Sequence, residues 1–142
     1  MKYAPLFLLA ALLAACAQPS STDMTDGTSN RDLLTDIWVL ETYQGEEIEA
    51  VERGPELPRL EFQVKEGRLT GTGGCNQLTG TVKDVTDDSV TFGGIAMTRK
   101  MCNQGMDLEM MIQEVLSNQT LTYRIDGGKL YLGTDWVFKK VD

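Results

Sequence analysis

Short runs of alternating apolar and polar residues recur along the chain after residue 33, and turn signals separate them. In one run, Leu60, Phe62 and Val64 alternate with charged or amide side chains, which predicts a strand with one buried face. Residues 126–129, Asp-Gly-Gly-Lys, separate two other runs and predict a hairpin. Strands are predicted in residues 37–40, weakly in 48–51, and in 60–64, 69–72, 80–85, 89–92, 121–125, 130–132 and 136–138.

One segment has the periodicity of a helix instead. Five apolar residues recur at i, i+3, i+4, i+7 and i+8 and form one stripe: Leu108, Met111, Ile112, Val115 and Leu116. We expect Asp107 or Asn103 to cap the start of this helix and residues 117–118 to end it. Methionines such as Met106 and Met110 fit either a filled core or an adaptable binding surface. The order of elements predicts an α+β fold, an antiparallel, barrel-like curled β-sheet with one α-helix.

The first sixteen residues have the features of an export signal. Lys2 precedes an apolar run in residues 7–15 that is too short to span a bilayer. The sequence Leu-Ala-Ala-Cys that ends at Cys16 resembles the lipobox of bacterial lipoproteins, which implies cleavage before Cys16 and lipid attachment to it, by acyl chains such as palmitate. An ordinary secretory signal is the alternative. We predict a signal peptide in residues 1–15, a lipidated flexible tether in 16–32 and one domain in 33–142.

The residue after the cysteine and the charge of the chain bear on location and partners. In a Gram-negative host, Ala17 implies an outer-membrane lipoprotein facing the periplasm, whereas in a Gram-positive host the anchor would lie on the outer face of the cell membrane. Without Lys2 the chain has twelve basic and twenty-one acidic residues, a net charge of −9. Such a surface disfavours nucleic acid. The expected partners are the membrane, through the lipid anchor, and an envelope protein or an apolar ligand.

The chain contains no histidine, which removes much of the catalytic repertoire. A Ser-His-Asp or Cys-His arrangement is impossible, and the two domain cysteines cannot complete a four-ligand zinc site. Asp84, Asp87 and Asp88 lack the spacing of a calcium loop and are expected to form a solvated turn. We therefore expect no enzymatic activity, no catalytic residues, no metal and no cofactor.

The segment from Gly71 to Gly80 is rich in glycine and contains Cys75. Glycine at this density indicates positive φ angles or close backbone approach, so we predict a bend between strands with Cys75 at its apex. In an oxidising envelope, Cys75 and Cys102 would most simply form a disulfide, which stabilises by roughly 3–4 kcal/mol for a loop of this length. A redox-active pair and two buried free thiols are the alternatives.

These segments carry a resemblance to a known family. A glycine-rich bend and a second cysteine segment, in this order, resemble META domains of the HslJ type, small proteins of the bacterial envelope named partly for heat-shock induction. The residues that carry the motif are Gly74, Cys75, Asn76, Gly80, Thr98, Arg99 and Cys102. The resemblance implies an antiparallel sheet curled around one helix and no established catalytic site. Lys100 replaces a methionine that is frequent in the family, which favours an exposed, partner-facing position. We expect Asn76 and Thr98 to satisfy backbone groups at the bend.

Two functions follow as expectations from this resemblance and from the lipobox. The first is a non-enzymatic lipoprotein that binds an envelope component and contributes to stress tolerance. The second is a pilot-like carrier that holds an acyl chain, or a secreted or envelope protein, in a groove of the curled sheet. The carrier requires a pocket, and sequence alone does not show whether the core is filled.

Overall fold

The computed structural model of the chain describes residues 28–48 and 54–141. The predicted signal peptide, Cys16, most of the predicted tether and residues 49–51 of the weak strand lie outside these ranges. The described helices are α1 (Asn30–Leu34) and α2 (Met106–Leu116). The strands are β1 (Ile37–Tyr43), β2 (Glu46–Glu47), β3 (Arg59–Gln63), β4 (Arg68–Thr72), β5 (Gln77–Val85), β6 (Ser89–Met97), β7 (Thr120–Asp126), β8 (Lys129–Leu132) and β9 (Trp136–Lys140).

Eight antiparallel strands close into a barrel. They are hydrogen-bonded in the order β1-β3-β4-β5-β6-β7-β8-β9, and β9 pairs back onto β1, with Leu40 opposite Phe138. The short strand β2 lies outside the ring and, among the described strands, pairs with the end of β1 alone. The antiparallel, barrel-like α+β fold predicted from sequence is therefore confirmed, and the closing pair joins the two ends of the domain.

Apolar side chains from alternate strand positions fill the barrel. Trp38 and Leu40 on β1 are buried, as the predicted alternation requires. The rings of Phe62 and Phe92 lie 6.0 Å apart inside the core, which also contains Phe138. Large side chains such as Trp38, Phe62 and Phe92 are fully buried, so the interior is a packed core.

The first helix was not predicted from the sequence. α1 begins at Asn30, after Ser29, whose hydroxyl caps the helix by accepting from the Asp32 backbone N–H. It overlaps the last three residues of the predicted tether. Leu34 at its end is buried, and its carbonyl accepts a hydrogen bond from the Trp38 indole at 3.0 Å. The helix is thus held against the core.

Several predicted element bounds differ from the observed ones. Val64 does not continue β3, because it begins a 3₁₀ turn that ends at Gly67 with a left-handed φ of 62°. Ile48 follows β2 rather than opening a strand. Strand β6 extends past Phe92 to Met97 through two glycines, Gly93 and Gly94, that concealed its second half. None of the helices in the described ranges is long and apolar enough to cross a membrane.

The start of α2 also corrects the sequence prediction. Neither Asp107 nor Asn103 caps it, since the N-cap is Gly105, whose φ of 83° only glycine adopts readily. The helix ends at Leu116, with Ser117 as its C-cap and Asn118 next at a φ of 57°, where the sequence predicted its end. It lies against the second half of β6, where the Asn118 N–H donates to the Gly93 carbonyl at 2.9 Å.

Candidate functional site

The bend between β4 and β5 comprises residues 73–76. The Gly73 N–H donates to the Asn76 carbonyl at 3.0 Å, and the Thr72 hydroxyl donates to the same oxygen at 3.1 Å. The Thr72 oxygen in turn accepts from the Gly74 N–H at 3.1 Å. Gly74 has a φ of 117°, which a residue with a side chain rarely adopts. The bend is therefore tight, hydrogen-bonded and dependent on glycine.

The predicted disulfide between Cys75 and Cys102 is present. It links the bend to the segment before α2, with the two Cα atoms 6.2 Å apart. Cys75 is buried and Cys102 is half-buried. The bond therefore fixes the chain that follows β6 against the bend.

Asn76 completes the attachment of that segment. Its side-chain nitrogen donates to the Lys100 carbonyl at 3.1 Å, and its side-chain oxygen accepts from the Lys100 N–H at 2.6 Å. The amide thus pairs with Lys100 as a neighbouring strand would. Thr98 donates to the same Asn76 oxygen at 2.9 Å and accepts from the Gln77 N–H at 3.0 Å. Both side chains satisfy backbone groups at the bend, which is the role expected of them.

Glu109 is the residue of this site that the sequence reasoning missed. Only 4% of it is exposed. One carboxylate oxygen accepts from the backbone N–H groups of Cys75 at 3.2 Å and Asn76 at 2.6 Å, and the other accepts from the Asn76 amide at 2.6 Å. The cost of burying this carboxylate is compensated by the three hydrogen bonds. Its position in the first turn of α2, near the positive end of the helix dipole, also stabilises it.

A signal for Glu109 was present in the sequence. It lies three residues before Ile112 and seven before Leu116, so it belongs to the buried stripe of the helix. A charged residue on that stripe needs buried donors, and the bend provides them. Gly73 packs closely against the side chain of Glu109, because a Cβ atom at residue 73 would lie 2.4 Å from Glu109 Cγ.

The remaining motif residues have different places. Gly80 lies within β5, where a Cβ atom would be 2.3 Å from the Ile95 side chain, so its role is packing between strands. Arg99 and Lys100 are exposed beside the bend. The exposure expected for Lys100 is therefore observed. Within residues 28–48 and 54–141, no cluster of three or more acidic or sulfur side chains could hold a metal ion.

A groove of about 560 Å³ lies next to the disulfide, between α2 and the chain from Ile95 to Met101. Four methionines line it: Met97, Met101, Met106 and Met110. Met101 is 91% exposed and Met110 is 58% exposed. By contrast Met111 packs against the core. The helix methionines are thus divided between the groove and the core, on different faces of one helix.

The phenol of Tyr123, at the other end of the barrel from the bend, has a pKa above its ordinary value. Its hydroxyl donates to the Thr86 carbonyl at 2.7 Å. Burial first, and then the charges of Asp87 and Asp88, raise the pKa of Tyr123 to about 12, while Arg31 acts in the opposite sense. This tyrosine is a structural group whose ionisation is opposed by the fold.

Together these features define a class of small antiparallel barrel proteins with a filled core, one main helix packed on that core and a disulfide-bonded bend. The chain belongs to the META domain family, whose model matches residues 31–140. It is also similar in fold to a protein from Burkholderia xenovorans whose structure was solved by NMR. The two share 17% sequence identity and superpose with a TM-score of 0.60, over 87% of this chain and 97% of that one. A comparison with curated proteins finds no match.

Proposed function

We propose that the chain is a non-enzymatic lipoprotein of the bacterial envelope, of the HslJ type, whose META domain is a binding module contributing to stress tolerance. Acylated Cys16 holds it in the outer membrane, facing the periplasm. The observation that carries the binding role is the groove beside the disulfide, because exposed Met101 and Met110 form an adaptable apolar surface there. The Cys75–Cys102 bond supports an oxidising compartment.

The hydrogen-bonding of the bend supports a binding role over a catalytic one. Glu109 is the buried acid of the site, and both its oxygens accept hydrogen bonds from the bend. The Asn76 amide bonds on both its oxygen and its nitrogen. These polar groups hold the wall of the groove in place, and they are engaged with the protein itself.

The packed interior of the barrel argues against the alternative function of a lipid carrier. Trp38, Phe62, Phe92 and Phe138 are each at most 2% exposed and lie in the core. An acyl chain inside the barrel would have to displace such close-packed side chains. This favours recognition at the outer groove over carriage of a lipid in the interior.

Chemical crosslinking in intact cells tests the proposal. Envelopes are prepared with the full chain and with a Cys75→Ser and Cys102→Ser variant, and crosslinked species are purified through a tag. We expect a specific protein partner that depends on the disulfide-bonded fold, and retention in the outer-membrane fraction that a Cys16→Ser variant loses. Recovery of only abundant porins, in equal amounts with both forms, would contradict the binding role.

A further inference from the structure

The second half of β6 leaves part of its backbone edge available. On one side it pairs with β5, where Ala96 lies opposite Thr79 and the Thr98 N–H donates to the Gln77 carbonyl. Backbone groups of successive strand residues point to opposite sides. Ile95 and Met97 therefore direct their N–H and C=O groups away from β5, toward α2.

The helix covers only the first of these two positions. The Gln113 side chain donates to the Ile95 carbonyl at 3.0 Å, and the Ser117 hydroxyl accepts from the Ile95 N–H at 3.3 Å. No described residue hydrogen-bonds the Met97 backbone on that side. Because Asn76 pairs with Lys100 from the opposite side, the backbone of Arg99 also faces the groove. The wall of the groove is thus the end of β6 and the chain that follows it, and among the described residues nothing hydrogen-bonds the Met97 backbone on this side.

The charge of the groove is opposite to that of the protein. The whole chain has a formal net charge of −8, yet the exposed charged side chains lining the groove are Arg99 and Lys100. In the part of the chain that the structure describes, neither forms an ion pair. The acidic residue of the groove, Glu109, is buried and already accepts three hydrogen bonds.

We infer that this groove binds an extended, acidic and apolar peptide segment of another protein, which adds as a strand to the free edge at Met97 and Arg99. Strand addition provides main-chain hydrogen bonds, and alternate side chains provide specificity. In an extended segment, alternate side chains point to opposite sides. The apolar side chains of the segment would contact Met101 and Met110, and its carboxylates would lie within reach of the long side chains of Arg99 and Lys100.

Charge disfavours a second copy of this chain as the occupant. If two copies paired through this edge, the Arg99 and Lys100 side chains of one would meet those of the other. Two copies would also bring together formal net charges of −8 each. An acidic peptide removes the repulsion and complements both cations.

The inference rests on the proposed binding function and names its partner class. It is tested with the isotope-labelled, disulfide-bonded full chain and a capped hexapeptide of alternating valine and glutamate as the probe. We expect the amide NMR signals of Met97 and Arg99 to shift on titration. A hexapeptide with lysine in place of glutamate, and one N-methylated at alternate amides, should bind at least about tenfold more weakly.

Charge reversal gives the matched control. Arg99→Glu with Lys100→Glu should weaken binding of the acidic hexapeptide by about tenfold or more. Lys65→Glu with Lys83→Glu makes the same change in net charge at exposed sites that do not line the groove, and should alter affinity by less than about twofold. Circular dichroism confirms that each variant is folded.

Several outcomes would overturn the inference. These are unshifted Met97 and Arg99 signals at saturating peptide, equal binding of the lysine peptide, or equal effects of the two double variants. Concentration-dependent dimerisation through the same amides would identify a second copy instead. Shifts of those amides with detergent micelles, but not with peptide, would identify a lipid. A cellular partner that crosslinks to the disulfide-bonded fold yet binds the Arg99 and Lys100 variant normally would leave the binding function standing and remove the groove as its site.

Discussion

Replacing Glu109 by glutamine tests whether the buried carboxylate holds the bend. Glutamine has nearly the same shape, but one of its two terminal atoms is a donor. In the native protein all three groups that meet this side chain are donors: the backbone N–H groups of Cys75 and Asn76 and the Asn76 amide. One donor must therefore face another donor in a buried site.

A flip of the Asn76 amide does not remove the conflict. The flipped oxygen would accept from the new glutamine, but the flipped nitrogen would then face the Lys100 N–H, which donates to Asn76 at 2.6 Å. An unsatisfied buried polar group costs about 1–3 kcal/mol, and loss of hydrogen bonds to a charged acceptor adds to it. We expect Glu109→Gln to lower the free energy of unfolding by about 2–4 kcal/mol.

The assay is urea unfolding of the oxidised chain, followed by tryptophan fluorescence. Glu114→Gln on the exposed side of the same helix is the control, expected to change the free energy by less than about 0.5 kcal/mol. Amide hydrogen exchange at Cys75 and Asn76 should accelerate in the Glu109 variant only. A Glu109→Gln variant as stable as the Glu114 control, with unchanged exchange at the bend, would refute the role given to the carboxylate.

Three further predictions concern the close packing of the bend, the disulfide and the buried phenol. Gly73→Ala should destabilise by about 1–3 kcal/mol, because its Cβ would overlap the glutamate it packs on, whereas Gly94→Ala has open space and should be nearly neutral. Replacing Cys75 and Cys102 by serine should lower stability by about 3–4 kcal/mol in urea unfolding. Because the pKa of Tyr123 is raised in the folded protein, this residue contributes stability that is fully present below about pH 10, the pKa of an unfolded tyrosine. That contribution is lost as the pH rises to about 12. Ultraviolet titration should show this tyrosine ionising near pH 12. In Tyr123→Phe, the free energy of unfolding should fall less steeply between about pH 10 and pH 12.

Each of these predictions has a contradicting result. Equal stabilities of the two alanine variants would show that the bend has room beside Gly73. A serine double variant as stable as the native chain would show that the disulfide constrains little. Ionisation of every tyrosine near pH 10, in the folded protein, would contradict the buried environment of Tyr123.

The strands were largely predictable, but the closure of the barrel was less so. Alternation along residues 60–64 identifies the buried face of a strand without naming its neighbour. The pairing of β1 with β9 joins residues about one hundred positions apart, such as Leu40 and Phe138. Local sequence signals also failed at Gly105. This glycine is the N-cap of α2 with a left-handed backbone conformation, where the sequence predicted a capping side chain.

The site was predicted in part. The role of Asn76 follows from its residue type, and the paired cysteines follow from the expected oxidising compartment, where two cysteines in a small domain have few alternatives. Glu109 was missed because a glutamate in a helix is normally solvated. Its importance arises only when the helix is docked against the bend. The groove is likewise a product of docking, since its shape depends on how α2 folds back against residues 95–101, which come shortly before it in the chain.

The most direct test of the central claim is site-specific photocrosslinking in intact cells. A photoreactive amino acid replaces Met101, which is 91% exposed in the groove, and in a second strain it replaces exposed Lys83 on β5. We predict a discrete adduct with an envelope protein from position 101, lost when Arg99 and Lys100 are reversed in charge, and none from position 83. Adducts of equal yield from both positions, or no adduct from position 101, would contradict the groove as the recognition site.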